Sequence, residues 1–389
     1  MSQVAGSLAA AGHRAWLAGE ELARAWWAPP GPGPRTHRIV TSAPLAVVLE
    51  RLPRAVVIHA RGLMLPSAAG AIDLVVEQRL PEALADFGFS LHTIAWDPVD
   101  GTLIDPCDGL ADARCGRLRL VGDPAEQLAR SPVLALRALR LVAELGLEPD
   151  PSLGPALGTA ALETTAQLRA AARSELLRML CGSHAGRALE LAASSGLAKQ
   201  LAPAADPSVA HWIDALAPRV ELRLAVWLGT GAAPWLRDWR LGLGRSQRVL
   251  ELAQHHPIDE AASPRHDAAV GRLLRRLGPE DRADLQAARA AQLASGVLAP
   301  EVVRRASARL AALGEAFARV EHNREAALAR AGLALSGAQV MEQLACGPGP
   351  LVGRALRHLA EICAADATRN TEAALRAALD EWVASAPSD

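Results

Sequence analysis

The side chains able to do chemistry are scattered along this chain. His255-His256 and Arg265-His266-Asp267 carry metal-binding residue types. Adjacent side chains on a helix point about 100° apart and rarely reach one ion, so both groups read as polar residues at helix ends. Cys107, Cys115, Cys181, Cys346 and Cys363 form no CxxC pair and no Cys/His cluster with zinc spacing. Their odd number implies reduced thiols. Asp73 sits inside an apolar run. No resident metal or cofactor is therefore expected. Arg237, Arg240, Arg245 and Arg248 form a local basic cluster, suited to phosphate contact and equally to a solvated helix face. Trp235 and Trp239, four residues apart, would be neighbours on one helix face, where core packing is a simpler role than base stacking.

The elements that position these residues fall into two regimes. A chain of 389 residues suggests two to four domains. Apolar residues make up 50% and charged residues 21%, which excludes a disordered chain. The formal net charge of -1 excludes a globally basic nucleic-acid binder, so any RNA contact must use a local face. Nearly all cations are arginine, Lys199 being a rare lysine. The N-terminus lacks a basic stretch followed by an apolar block, and no apolar run reaches the roughly 20 residues a bilayer requires. A soluble, cytoplasmic protein without membrane contact is expected. In the first third, runs 38–41, 55–60, 71–76, 91–96 and 102–104 have strand character, and 13–17 is a short apolar segment. From about Ser131 strand signals vanish. Val133, Leu136, Leu139, Leu141 and Leu145, then Leu176, Leu177 and Leu180, recur at helical spacing, and Gly and Pro breakers cut the remainder into helices.

Several stretches in fixed order carry a family likeness. Gly101-Thr-Leu-Ile-Asp105-Pro106-Cys-Asp108-Gly109-Leu110-Ala-Asp112 is followed by Leu118-Arg119-Leu-Val121-Gly122-Asp123-Pro124. Their Asp-Pro and Asp-Gly pairs make tight turns in which Asp side chains cap backbone amides. Leu136-Arg137-Ala-Leu-Arg140 leads to Leu145-Gly146-Leu147. Arg173-Ser-Glu175-Leu-Leu-Arg178-Met-Leu180, Ser195-Gly196-Leu197 and Leu201-Ala-Pro203 come next. Leu335-Ser336-Gly337, Gly347-Pro348-Gly349-Pro350 and Asn370 lie near the end. Over roughly residues 15–385 this series resembles the class II tRNA nucleotidyltransferase (CCA-adding enzyme) and bacterial poly(A) polymerase family.

The resemblance implies an α+β fold: a small nucleotidyltransferase-type α/β head, followed by an all-helical neck, body and tail. The expected spans are 1–125, 126–205, 206–325 and 326–389. It also implies where chemistry should sit. Family members hold two Mg²⁺ ions with two acids on one strand and a third on its neighbour. One ion activates the RNA hydroxyl and the other neutralises the triphosphate. Here the first strand reads Thr36-His37-Arg38-Ile39-Val40-Thr41, which puts Thr36 and Arg38 at the two acid positions. Asp73, in Ile72-Asp73-Leu74-Val75, keeps the third. An Arg38–Asp73 ion pair across neighbouring strands is expected to fill the metal position. In the loop that cradles triphosphate in relatives only Gly19 remains, beside Glu20 and Glu21, with Leu22 and Ala23 at the Arg and Asp positions. Asp86-Phe87-Gly88 replaces an Arg-Arg-Asp run, and Ser131 and Leu134 replace the Asp and Arg that read the incoming base. Trp26 and Trp27 fall where the pocket should be and could fill it.

Losses thus gather at chemistry positions while scaffold positions survive. Thr36, Arg38 and Asp73 are read as vestigial catalytic positions, and Gly19, Arg137 and Arg140 as vestigial nucleotide-binding ones. The resemblance implies binding of tRNA or another RNA, with Arg237, Arg240, Arg245, Arg248, Gly347 and Gly349 as candidate contacts. It also allows partnership with an active relative, and no DNA is expected. The leading expectation is a family protein without catalytic activity. Two alternatives stay open. One is an active CCA- or A-adding enzyme that uses Mg²⁺ on relocated acids, with Glu20, Glu21 and Asp73 as candidates. The other is a protein-interaction scaffold without RNA.

Overall fold

A computed structural model describes residues 2–20, 22, 37–67, 70–161 and 166–385. The chain divides into two compact units, Met1–Gln254 and His255–Asp389. The boundaries expected at 125/126 and 205/206 fall inside the first unit. The one at 325/326 falls within the continuous helix Pro300–Ala331. Among the described residues no helix is long and apolar enough to cross a membrane.

The first unit opens with a seven-stranded sheet in the order β3-β4-β5-β2-β1-β6-β7. The strands are β1 (Ala15–Ala18), β2 (His37–Thr41), β3 (Val56–His59), β4 (Gly62–Ser67), β5 (Gly70–Val76), β6 (Ala95–Trp96) and β7 (Leu103–Ile104). β2 and β5 run parallel, placing His37 beside Ile72, Arg38 beside Asp73 and Ile39 beside Leu74. The remaining pairings are antiparallel. Side chains alternate across a strand, so Ile39 and Val40 serve opposite faces. Ile39, Ile72 and Leu74 pack with Val4, Leu8 and Val48 under the helices Ser2–Ala9 and Leu45–Arg51. Val40 and Trp16 pack with Leu80, Leu84 and Phe87 around the helix Leu80–Ala85.

The strand runs at 38–41, 55–60, 71–76 and 102–104 form strands, and β1 grows from the 13–17 segment. Run 91–96 differs. Ser90–Thr93 is a 3-10 turn and only Ala95–Trp96 pairs. The Ser90 hydroxyl donates to Asp112 Oδ2 at 2.7 Å, and the Thr93 hydroxyl donates to the Ser90 carbonyl at 2.7 Å. These buried side-chain bonds compete with a ladder and win locally. β4 is a strand that sequence reading missed. Its Pro66, a residue depleted from sheet interiors, lies one pair from the β4–β5 hairpin end.

The motif around Asp105 is scaffold. Its carboxylate accepts from the Gly109 and Leu110 amides at 2.7 and 2.9 Å, capping the helix Gly109–Cys115. Arg119 ties Asp112 to the Cys107 carbonyl. Leu118 belongs to a two-residue strand, Arg117–Leu118, that runs parallel to Glu148–Pro149. Strand pairing therefore extends past Ser131, where periodicity had read only helices, because two residues are too few to leave a periodic signal.

Behind the sheet, Val133–Leu145 buries Leu134, Leu136, Leu139 and Leu141. It packs on Ala166–Cys181, which buries Leu176, Met179 and Leu180, and on Ala185–Ser194. The approach is close at Gly182, where a Cβ would lie 2.5 Å from the Ala143 carbonyl group. Arg223, buried on the helix Val220–Leu228, donates to the carbonyls of Leu180, Gly182, Leu216 and Ala217 at 2.8, 2.8, 2.7 and 3.2 Å. It thereby satisfies acceptors left open at the end of Ala166–Cys181.

The described part of the second unit is helical. Asp259 is fully buried and holds Arg289 at 2.7 Å and Arg309 at 2.8 Å. Ser336 and Gln339 form a capping box on Gly337–Gln343. Asn370 accepts from the Ala334 amide and donates to the Gly332 carbonyl, both at 2.8 Å, closing this terminal helical cluster around Leu335, Val340, Leu359 and Leu375.

Candidate functional site

The parallel register of β2 and β5 sets Arg38 directly opposite Asp73. Arg38 Nη2 lies 3.5 Å from Asp73 Oδ2, and both side chains are about one-third exposed. The ion pair expected between these strands is therefore present, half-buried rather than in the core. The guanidinium also lies over the Phe87 ring, 4.6 Å from its centroid, a cation–π contact. Burial pushes the Arg38 guanidinium down from its ordinary pKa, and Asp73 opposes that shift. Among the described residues its buried Nε has no acceptor. Gly19 stands against Arg38, its Cβ position 3.6 Å from Arg38 Cβ, with φ of +95°, a conformation that favours glycine.

Beside this pair lies a denser charge network. Arg140, 1% exposed, makes a two-pronged contact with Glu20. Nη1 donates to Oε1 at 2.8 Å and Nη2 to Oε2 at 2.6 Å. Arg140 also donates to Glu144 at 2.7 Å and to Glu175 at 2.5 Å. Arg137 holds the other Glu175 oxygen at 3.0 Å, and Arg178 bridges Glu144 at 3.0 Å to Glu20 at 3.6 Å. The helix Val133–Leu145 supplies Arg137, Arg140 and Glu144, and Ala166–Cys181 supplies Glu175 and Arg178. Glu20 follows β1, so the network ties the sheet to the helical layer. Burial acts to raise the Glu20 pKa, but the charge and hydrogen bonds of Arg140 outweigh it and hold the carboxyl well below the usual range. Arg140 is raised by its three acids despite its burial.

His92 lies within reach of the same charges. It is buried in the Ser90–Thr93 turn, edge-on to Phe89 with centroids 5.6 Å apart. Burial above all pushes its imidazole down to about 3. Glu20 pulls the other way, and Arg137, Arg140 and Arg38 add to the depression. A neutral imidazole thus stands among four arginines and four carboxylates in ion pairs.

The remaining candidates are dispersed. Thr36, Glu21, Ala23, Trp26 and Trp27 lie outside the described residues. Leu134 is buried, and a Cβ at Gly88 would come 2.8 Å from its Cδ2, so two motif positions meet in apolar contact. Arg245 and Arg248 line one open cleft of about 460 Å³ with Arg219 and Glu221, and Arg245 donates to Glu221 at 2.7 Å. Arg237 and Arg240 do not line that cleft. They lie at the end of Ala232–Asp238, where Arg240 has φ of +49°. Gly347 and Gly349 are exposed in the second unit, with nothing within 4 Å of a Cβ at either. Among the described residues no group of three or more His, Cys, Asp and Glu is placed to hold a metal ion, and the cysteines are free. Sequence reading passed over His92, Glu144 and Glu175 as site residues. Only the Arg137–Arg140 and Glu175–Arg178 spacings, one helical turn each, hinted that two charged faces would meet.

No protein-family model matches the chain. A CCA-adding enzyme of Bacillus licheniformis is 36% identical over 124 residues, which is 31% of this chain and 30% of that enzyme. Poly(A) polymerase I of Haemophilus influenzae is 31% identical over 133 residues, 34% of this chain and 29% of the polymerase. The matched stretch thus spans about 30% of the length of these curated relatives. Among solved structures, the Bacillus stearothermophilus CCA-adding enzyme in complex with CTP superposes with TM-score 0.63 at 22% identity, covering 98% of this chain and 96% of that one. The Thermotoga maritima CCA-adding enzyme complexed with tRNA superposes with TM-score 0.62 at 17% identity, covering 98% and 94%. The chain therefore has the α+β fold of the CCA-adding enzymes and resembles, in part of its sequence, the CCA-adding enzyme and bacterial poly(A) polymerase family.

Proposed function

We propose that this chain binds RNA, tRNA first among candidates, without transferring nucleotides to it, either alone or as partner of an active relative. The observation that carries this reading is the Arg38–Asp73 pair. The one acid left at the expected metal position already faces a fixed cation at 3.5 Å. The described residues do not fit a pair of Mg²⁺ ions, which require several carboxylate oxygens. A guanidinium there would repel them. Glu20, the described candidate for a relocated acid, has both oxygens engaged by Arg140. Buried Leu134, in apolar contact at Gly88, supports the same reading, since it offers no donor at the position where relatives carry the base-reading arginine.

RNA as ligand rests on the fold shared with a CCA-adding enzyme that was solved with tRNA. Arg245 and Arg248, lining the open cleft, are the proposed phosphate contacts. The family likeness itself supports the competing reading of an active enzyme, so the test must separate the two. Purified chain, tRNA lacking its terminal CCA, labelled CTP or ATP and Mg²⁺ are expected to give no incorporation. The same tRNA is expected to shift on a gel, with affinity that falls steeply as salt rises. Incorporation above a heat-killed control would overturn the proposal in favour of the enzyme. Absence of any shift, with a protein co-purifying, would favour the scaffold.

A further inference from the structure

We propose that the cavity between the helix Ala232–Asp238 and the short helix Leu197–Leu201 is a binding site for a small planar aromatic anion. This proposal is independent of the RNA reading. The cavity measures about 400 Å³ and includes Arg169, Lys199, Trp235, Asp238 and Trp239 in its lining, a size typical of small-ligand sites. Its floor is aromatic. Trp235 and Trp239 stack with centroids 4.9 Å apart and an interplanar angle of 11°. The inner ring is fixed, because buried Trp235 Nε1 donates to the Leu201 carbonyl at 2.8 Å. Beyond the outer ring the chain is clamped by Arg173, whose Nη1 donates to the Trp239 and Arg240 carbonyls, both at 2.9 Å. Arg240 itself keeps a left-handed φ of +49°, a strained state that packing must hold. Trp239, half-buried, thus offers a rigid, partly open ring face, which costs little entropy to use.

The charge on the lining favours an anion. Arg169 and Lys199 outnumber Asp238. Among the described residues Lys199 makes no ion pair. It is also the single lysine of the chain, every other cation among the 41 Lys and Arg being arginine. A compact ammonium on a flexible stem differs from a guanidinium fork: it adapts to a single carboxylate or phosphate oxygen that enters beside a stacked ring. A ring on Trp239 with its anionic group toward Lys199 and Arg169 uses each of these features.

Titration calorimetry of the full chain with AMP, with naphthoate and with ribose phosphate tests the site. An aromatic anion is expected to bind with Kd of about 1 mM or tighter, and ribose phosphate to bind at least tenfold more weakly. AMP binding without naphthoate identifies a nucleotide as the ligand source, and the reverse identifies an aromatic acid. W239A is expected to weaken binding by about tenfold or more, and W239F to keep most of it. K199A, at an exposed position that does not threaten folding, is expected to weaken it severalfold. The proposal is overturned if neither aromatic anion binds. It is equally overturned if W239A and K199A, shown to be folded by circular dichroism, bind as tightly as the unaltered chain.

Discussion

Arg140 shows what a buried charge demands. Removed from water, a guanidinium is stable only when its donors are met, and Glu20, Glu144 and Glu175 meet them. The same field acts on His92. In the folded chain this imidazole stays neutral down to about pH 3, whereas its ordinary value is 6.5. Between these values the unfolded chain binds the extra proton, so stability falls as pH falls, by about 1.4 kcal/mol per pH unit. Glu20 acts later in the same direction. Its depressed pKa contributes stability that is present above the ordinary value of 4.5 and lost below it. Urea unfolding from roughly pH 7 down to pH 5 is therefore expected to show a falling midpoint in the natural chain. H92Q should flatten that slope while leaving the loss below the Glu20 range. An equal slope in both proteins would show that another group binds the proton.

At the scale of elements, the join between helices depends on few atoms. Arg223 answers four carbonyls where Ala166–Cys181 ends and the next segments begin. Truncation would leave buried acceptors unmet, each costing about 1–3 kcal/mol. R223A is accordingly expected to destabilise the chain by about 3–5 kcal/mol, and R223K by less because it retains charge but not the fork. Chemical denaturation monitored by helical circular dichroism measures both, and a change below about 1 kcal/mol for R223A would deny the arginine this role. The sheet depends on register in a comparable way. Sliding β2 by one residue against β5 would separate Arg38 from Asp73 and turn Ile39 out of its core.

For the whole molecule, the division into Met1–Gln254 and His255–Asp389 carries an expectation of its own. The first unit holds two apolar clusters of the sheet, the helical layer and the Glu20–Arg140 network, all closed within itself. A fragment ending at Gln254 is expected to unfold cooperatively by thermal circular dichroism, as an autonomous domain should. A broad, non-cooperative melt would mean that the second unit is needed for its stability.

Much of this protein was readable from residue order. Runs rich in β-branched and other apolar residues at 38–41 and 71–76 marked two central strands, because such side chains suit a pleated, half-buried surface. Leucines at helical spacing fixed the 133–145 helix, and Asp-Gly and Asp-Pro pairs fixed the caps around Asp105, because these signals act within a few residues. The Arg38–Asp73 pairing was also legible, through the likeness that made their strands neighbours. Other features depended on contacts between distant segments. Ser90–Thr93 became a turn because Asp112, twenty-two residues away, accepts from Ser90. Glu20 met Arg140 across 120 residues, and the Trp235–Trp239 stack became the wall of a cavity only when Lys199 and Arg169 closed around it. Local propensity specifies the elements; which charges lose water together is decided by packing, since the free energy of a buried ion depends on neighbours that chain order alone does not name.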